Sequence, residues 1–294
     1  MVQPWPRYQW PEGKRSAFCF SVDVDEDAPY LWTQRGVDAP RTLGQLEQRH
    51  FGQRLGIWRI LDLLDRFGVK GSFFVPGAVA VANPEILPAF LERGHEVGLH
   101  GYFHELVADS SDTEFTAALE ASIEVFRGQT GTAPKGFRSP AWEMTPHMVR
   151  ELRRHGLWDS SLMGADHPYE VGGVVEVPVQ WATDDAIHYK FSGTAGDRTP
   201  ASPLAVLESW REEWEGQHQY GGLLMLTVHD WVSGRVQRLR ILEKLLAQVT
   251  AEPTAWVATV GEVAAYHAAS ANAGRFVAGT AIPGPVELRR FGRG

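Results

Sequence analysis

The chain has 294 residues, and 28 Lys and Arg stand against 36 Asp and Glu, a net charge of −8 with neutral His. That balance excludes the basic excess that nucleic acid or an anionic membrane surface requires, and 44% hydrophobic with 22% charged residues excludes a largely disordered chain. The length suits one large α/β domain or two smaller ones, and 11 Trp with 14 Phe supply aromatic surface for a core, a sugar-stacking wall or a subunit interface.

Pro4, Pro6 and Pro11 interrupt the N-terminus, and the first apolar run, 17–22, is shorter than the roughly 7–15 residues of a secretory h-region, so a cytoplasmic location is expected. No stretch reaches the roughly 20 apolar residues of a membrane span. Cys19, the single cysteine, lies inside that first run and reads as a buried, inert thiol; no intramolecular disulfide can form. Short apolar runs then alternate with longer amphipathic segments, the pattern of repeated β-α units and a parallel sheet. Strands are expected near 17–23, 71–75, 96–99, 135–138, 157–160, 174–178, 222–228 and 255–258. Residues 26–50 form a polar insertion containing Gly and Pro, readable as a lid or a substrate wall. Helices are expected over 52–67, where Leu55, Ile60, Leu63 and Leu64 share a side, and over 113–130, 146–155, 203–216, 234–250 and 260–270. Gly68 is expected to cap the first of these, and Asn83-Pro84 to open the helix that follows. From about residue 272 the chain reads as an extended tail placed to pack on another subunit. With no repeat or linker, residues 1–294 are expected to form one α/β domain, a barrel of seven or eight parallel strands.

Five polar clusters coincide with the predicted strand ends. Asp23-Val24-Asp25-Glu26-Asp27 ends the first strand, and His100-Gly-Tyr-Phe-His104 follows the third. Two His four residues apart lie on one face of a helical turn and can share a metal ion if that turn is helical. Arg138-Ser-Pro140-Ala-Trp142, Asp159-Ser-Ser and Val228-His229-Asp230-Trp231 complete the set. In a parallel barrel, side chains at strand C-termini meet over one mouth, the functional face. Taken singly, each has a plain structural reading: a His pair on a half-buried face, an Asp capping a turn, a Trp in a core. Five in succession point to a site.

These motifs, in this order from about Phe18 to Trp231, resemble the polysaccharide deacetylase family, metal-dependent N-deacetylases of chitin and peptidoglycan that also includes ring-opening amidohydrolases. The resemblance implies a distorted (β/α) barrel and one divalent metal held by one Asp and two His. Carried over by position, Asp25, His100 and His104 would be the ligands, Asp23 the general base, His229 the general acid, and Arg138 the residue that orients and charge-pairs with Asp23. Sugar-directed members commonly have two adjacent aspartates in the first motif, whereas Val24 separates them here. Residues i and i+2 of a strand point to one side, so both carboxylates still aim into the mouth. The Asp-x-Asp form is similar to a cytoplasmic branch that includes peptidoglycan deacetylase-like, allantoinase-like and cyclic-imidase-like proteins.

The implied chemistry is hydrolysis of a non-peptide C–N bond. A Zn²⁺-like ion with three protein ligands and an open position polarises an amide carbonyl and brings bound water to a pKa of about 7. Zn²⁺ is the expected metal, and a His₂Asp set also suits Co²⁺, Fe²⁺, Mn²⁺ and Ni²⁺. Asp23 would take a proton and His229 would give one to the leaving amine, with Asp230 or another carboxylate behind the ring expected to fix the imidazole's tautomer. Trp142, Trp231 and Asp159 are expected to contact substrate, with Trp181 a further stacking candidate. Glu26 and Asp27 are expected in solvent, Glu105 behind the His pair or as a simple helix charge, and His95, His147, His155, His167, His188 and His218 in packing or solvated roles. The expected substrate is a small amide or amino sugar, its acetyl group removed. Ring opening of a cyclic imide or ureide, and carbohydrate binding without turnover, are the alternatives, and a homo-oligomer is expected.

Overall fold

All eight residues of the first strand, β1 (Ser16–Asp23), are buried. This is why the segment reads as an apolar run and not as an alternation: a parallel strand covered on both faces presents no solvent side. The computed structural model describes residues 7–36, 43–191 and 199–282. Nine further strands complete the sheet among these residues: β2 (Ser72–Val75), β3 (Glu96–Leu99), β4 (Gly136–Phe137), β5 (Trp158–Asp159), β6 (Tyr169–Val171), β7 (Val174–Glu176), β8 (Leu223–His229), β9 (Ala255–Val257) and β10 (Val277–Ala278).

The sheet order is β10-β6-β7-β5-β4-β3-β2-β1-β8. Strand β8 pairs with β1 from Ala17↔Leu223 to Asp23↔His229, and every pairing is parallel except that of β6 with β7. Past β7 the chain returns to β8: Asp184 bridges Thr227 in parallel, and the Asp185 N–H donates to the Thr227 carbonyl at 3.1 Å. That bridge closes the curled sheet, with helices outside, into a distorted (β/α) barrel.

Three departures from the expected elements have clear causes. The strand expected at 174–178 is present as β7 and pairs parallel with β5, but it is preceded by an unexpected partner, β6, antiparallel to it across a tight turn at which Gly172 and Gly173 take φ of 57° and 82°, the positive values a two-residue hairpin loop needs. Strand β9 is no extra stave of the ring: it pairs with the first half of β1 on the flank where β2 takes the second half. The 26–50 insertion is largely helical. Helices Ala28–Thr33 and Leu43–Phe51 are present, the second running through a π-helical turn, Gly52–Gly56, into Ile57–Phe67. Its polar sequence carries no apolar period, so only the part with buried Ile57, Ile60, Leu61, Leu63 and Leu64 announces itself as a helix. Residues 37–42 of that insertion lie outside the described residues.

One hydrophobic cluster runs from Tyr8 to Phe276. Of the expected tail, residues 272–278 lie against this chain, with Phe276 fully buried, β10 paired with β6, and the Asn272 amide exchanging two hydrogen bonds with the Gln9 backbone at 2.7 and 3.1 Å, while residues 283–294 lie outside the described residues. Asn83 does not open a helix; it ends Gly77–Ala82, and its amide donates to Glu26 Oε2 and the Val79 carbonyl, 3.0 Å each. Gly68, φ 64°, caps Ile57–Phe67 as expected. No helix among the described residues is long and apolar enough to cross a membrane.

Candidate active site

The site begins where β1 and β8 end side by side, with Asp23 in register with His229. The Val24 N–H donates to the Phe74 carbonyl at 2.8 Å, extending the pairing by one residue, so strand alternation places Asp23 and Asp25 on one side. The chain then breaks away through Glu26, whose φ of 46° is strained for a residue with a side chain.

Asp25 lies among three imidazoles. His100 Nε2 is 3.3 Å from its Oδ1, and the Nε2 atoms of His104 and His229 are each 3.6 Å from its Oδ2. Burial opposes ionisation of this carboxyl, but His104, His100 and His229 outweigh burial and hold it far below the usual carboxylate range. The two His of the i, i+4 pair converge through a tight loop, not a helical turn, with Gly101 at φ 71° and His104 at φ 61°. Glu105 closes that loop by accepting the N–H groups of Tyr102 and Phe103 at 2.9 Å each, which fulfils its expected supporting role.

The donor set fits a divalent cation. One donor atom from each of Asp25, His100 and His104 lies within 4.8 Å of the other two, and all three residues are buried. The Arg138 carbonyl can only accept, so His100 Nδ1, 2.8 Å away, carries the proton and leaves the Nε2 lone pair facing Asp25. Asp25 Oδ1 is buried with no hydrogen-bond donor, the kind of orphaned anionic oxygen that a cation satisfies.

Beside this set, Arg138 is fully buried and its guanidinium is held on every side. Nη1 donates to Asp23 Oδ1 at 2.7 Å and Ser21 Oγ at 2.8 Å, while Nε and Nη2 donate to the Ser160 carbonyl and hydroxyl at 2.9 and 3.0 Å. The Phe74 ring lies 4.0 Å from its guanidinium carbon. His229 is clamped by Asp185, whose Oδ1 accepts from Nδ1 at 2.7 Å and whose Oδ2 accepts the His229 backbone N–H at 3.0 Å. Burial would lower the pKa of this imidazole, but Asp185 and Asp184 overcome that and raise it well above the ordinary value. Of the two expected holders, Asp230 or another carboxylate behind the ring, it is the second that is present, as Asp185. Asp230 instead packs on the π-helical turn, neither carboxylate oxygen has a hydrogen-bond partner, and burial together with nearby Asp25 pushes its pKa up to about 8. The only sequence signal for Asp185 was the adjacent pair Asp184-Asp185 in a stretch with no periodicity.

The remaining candidates surround this group. Asp159 is buried away from the imidazoles: its Oδ1 accepts from Ser161 Oγ at 2.7 Å, it neighbours Glu176, and burial raises the pKa of both carboxyls. Trp142 is 4% exposed and stacks on Trp181 at 4.3 Å between centroids, leaving Trp181, 41% exposed, as the outer face of that wall. Trp231 is buried under the Arg49 guanidinium, 5.0 Å from its ring. Glu26, expected in solvent, is buried beside Asp25 because Asn83 receives its carboxyl there; burial and Asp230 push its pKa up to about 9. Asp27 is half-buried against His50, 3.1 Å away.

Comparison with known proteins adds the following. A family model described as polysaccharide deacetylase matches residues 52–169. The peptidoglycan deacetylase of Helicobacter pylori is 27% identical over 85% of this chain and 96% of its own. A crystal structure of a Mycobacterium smegmatis protein assigned to the polysaccharide deacetylases is 35% identical, covers 90% of this chain and 94% of its own, and superposes with a TM-score of 0.85. The crystal structure of Puue allantoinase is 20% identical, covers 91% of this chain and 95% of its own with a TM-score of 0.78, and so shares the fold.

Proposed function

The chain belongs to the polysaccharide deacetylase family, hydrolases of C–N amide bonds, and from that membership we propose that it removes the acetyl group from an N-acetylated amino sugar or a related small amide. The observation that carries this reading is Asp25, buried with an orphaned oxygen between His100 and His104 and flanked by a potential base and a potential acid. Asp25, His100 and His104 would hold one divalent metal, and their His₂Asp chemistry favours Zn²⁺. When bound, such an ion supplies Lewis-acid polarisation of the amide carbonyl and acidifies water.

This chain's own groups do the rest. Asp23 has one oxygen fixed by Arg138 and the other 3.9 Å from His100 Nε2, so it faces the metal ligands as the proton acceptor for attacking water. His229 donates Nδ1–H to Asp185, which turns Nε2 toward Asp25, and the two neighbouring aspartates keep the ring charged. A protonated Nε2 at that position delivers a proton to the departing amine, which would otherwise leave as an unstable amide anion. Asp185 acts through His229 and is a positioning residue.

The test pairs metal analysis of the purified protein with two assays: acetate release from N-acetylglucosamine oligomers and ring opening of small cyclic imides and ureides. A stoichiometric divalent metal and acetate release are expected. H100A/H104A should lose the metal and reduce turnover by about 10³-fold or more, in line with what a metal and its activated water contribute. Full metal content and full activity in that double variant would refute the proposal. Ring opening without acetate release would move the substrate to the cyclic class with the same acid and base.

A further inference from the structure

A cleft of about 480 Å³ is lined in part by Asp27 and Phe103, near neighbours in sequence of the candidate ligands Asp25 and His104, and no step described above uses it. Its described walls are Leu31 and Trp32 on helix Ala28–Thr33, Val79 and Ala82 on helix Gly77–Ala82, and Phe103. Leu31 and Phe103 are 43% and 51% exposed, so two large apolar side chains face open space there. The charged residues at the rim are already engaged: Asp27 is 3.1 Å from His50, and Arg35 lies 3.6 Å from Asp109 with its guanidinium over the Trp32 ring. The cleft therefore offers apolar surface with little free hydrogen-bonding capacity, and a hydroxyl-rich sugar ring buried in it would lose hydrogen bonds to water without replacement.

The walls of the cleft are continuous with the segments that carry the metal ligands. The Ala28 N–H donates to the Asp25 carbonyl at 3.1 Å, which ties the first helix to that ligand. Phe103 immediately precedes His104, and the Ala78 N–H donates to the Tyr102 carbonyl at 2.8 Å, which ties the second helix to the His100–His104 loop. The cleft is thus built on the same two backbone segments that carry the ligands.

We propose that this cleft is a substrate subsite for an apolar aryl or alkyl substituent, so that the preferred substrates are small amides carrying such an arm and not bare sugar polymers. The inference rests on the amide-hydrolase reading for the location of the reacting bond. The volume lies in the range that holds a drug-sized ligand or a large part of one, and a mostly apolar wall with few polar groups is the usual construction of such sites. An N-acetylated amino sugar with an apolar aglycone and an aryl-substituted cyclic imide both meet the requirement.

The test compares kcat/KM of the metal-loaded protein on matched pairs: methyl and phenyl glycosides of N-acetylglucosamine, and unsubstituted and phenyl-substituted cyclic imides. In whichever pair is turned over, the phenyl compound should be preferred at least tenfold. L31D and A82D, which place a charge in the cleft, should each bring that preference close to one. Equal kcat/KM for both members in the wild type, or a preference that survives in both folded variants, overturns the subsite while leaving amide hydrolysis intact. If no pair is turned over, the amide-hydrolase reading fails, and calorimetry decides the subsite separately. Binding of the phenyl glycoside that both variants lose supports it, and no binding, or binding that they retain, overturns it. Sedimentation showing a dimer that L31D disperses would assign the cleft to a second copy of the chain and overturn it as well.

Discussion

Arg138 donates to five separate acceptors from one planar guanidinium, and a lysine ammonium cannot reproduce that fork. R138K should therefore keep a positive charge near Asp23 yet lower kcat by roughly 10²-fold, the scale of losing one positioned acid-base partner, with KM changed little; steady-state kinetics checks this. D185N should also act on kcat more than on KM, because an amide at that place no longer selects the His229 tautomer; a loss of at least about 10²-fold is expected, with metal content unchanged. His95 provides a stability test away from the site. Its Nδ1 accepts the Gly71 N–H at 3.1 Å, and burial, helped by Lys70, pushes its pKa down to about 4 from the ordinary 6.5. Between those values the unfolded chain binds the proton and the folded chain does not, so stability falls as pH drops from about 6.5 toward 4. Denaturant melts at several pH values should show that slope, and H95N, which retains an acceptor but does not titrate, should flatten it. Asp23, Asp25, His100, His104, Arg138 and His229 were legible in the sequence because each ends or follows an apolar strand. Asp185 was not, since its role depends on a bridge between segments 42 residues apart, Asp185 and Thr227.

At the scale of elements, the π-helical turn Gly52–Gly56 exists where the helix passes against Asp230. A Cβ on Gly52 would lie 1.9 Å from Asp230 Oδ2, and one on Gly56 would lie 2.1 Å from the Asp230 carbonyl oxygen. Wide turns of this kind commonly mark functional sites, and here the turn supports the residue next to His229. G52A should cost about 1–3 kcal/mol, as other overpacked sites do, and should lower activity by displacing the His229 segment. G128A is the matched opposite: it lies exposed in helix Asp112–Thr130 with nothing within 4 Å of the added atom, and should stabilise by about 0.5–1 kcal/mol. Thermal melts of the two variants should shift in opposite directions. Helices with an apolar stripe, such as Ile57–Phe67 and Pro146–His155, were legible from periodicity, and the polar helix Leu43–Phe51 was not. The Gly172-Gly173 pair stood just before the strand expected at 174–178, a readable hairpin signal for the short β6 that precedes it.

For the whole molecule, a metal held as proposed by Asp25, two residues past β1, and by the loop after β3 would bind the folded chain and have no preformed site in the unfolded one. Zn²⁺ at about 1,000 times its dissociation constant should thus add about 4 kcal/mol of stability, visible as a raised melting temperature that a chelator reverses and H104A lacks. The barrel was legible as alternating strands and helices, whereas the way it closes was not, because residues 177–185 form no regular strand. The closure has its own consequence. Asp184 and Asp185 fasten the ring to β8 through Thr227, and Asp185 is also the clamp on His229. The seam of the barrel and the holder of its proton donor are thus one two-residue latch. On the proposed roles, local breathing that unzips the seam would disarm the acid while Asp25, His100 and His104, which sit in loops after β1 and β3, stay assembled. Hydrogen exchange at the Asp185 amide reports opening of that seam, and on the proposed roles it would count the molecules able to hold metal but unable to turn over.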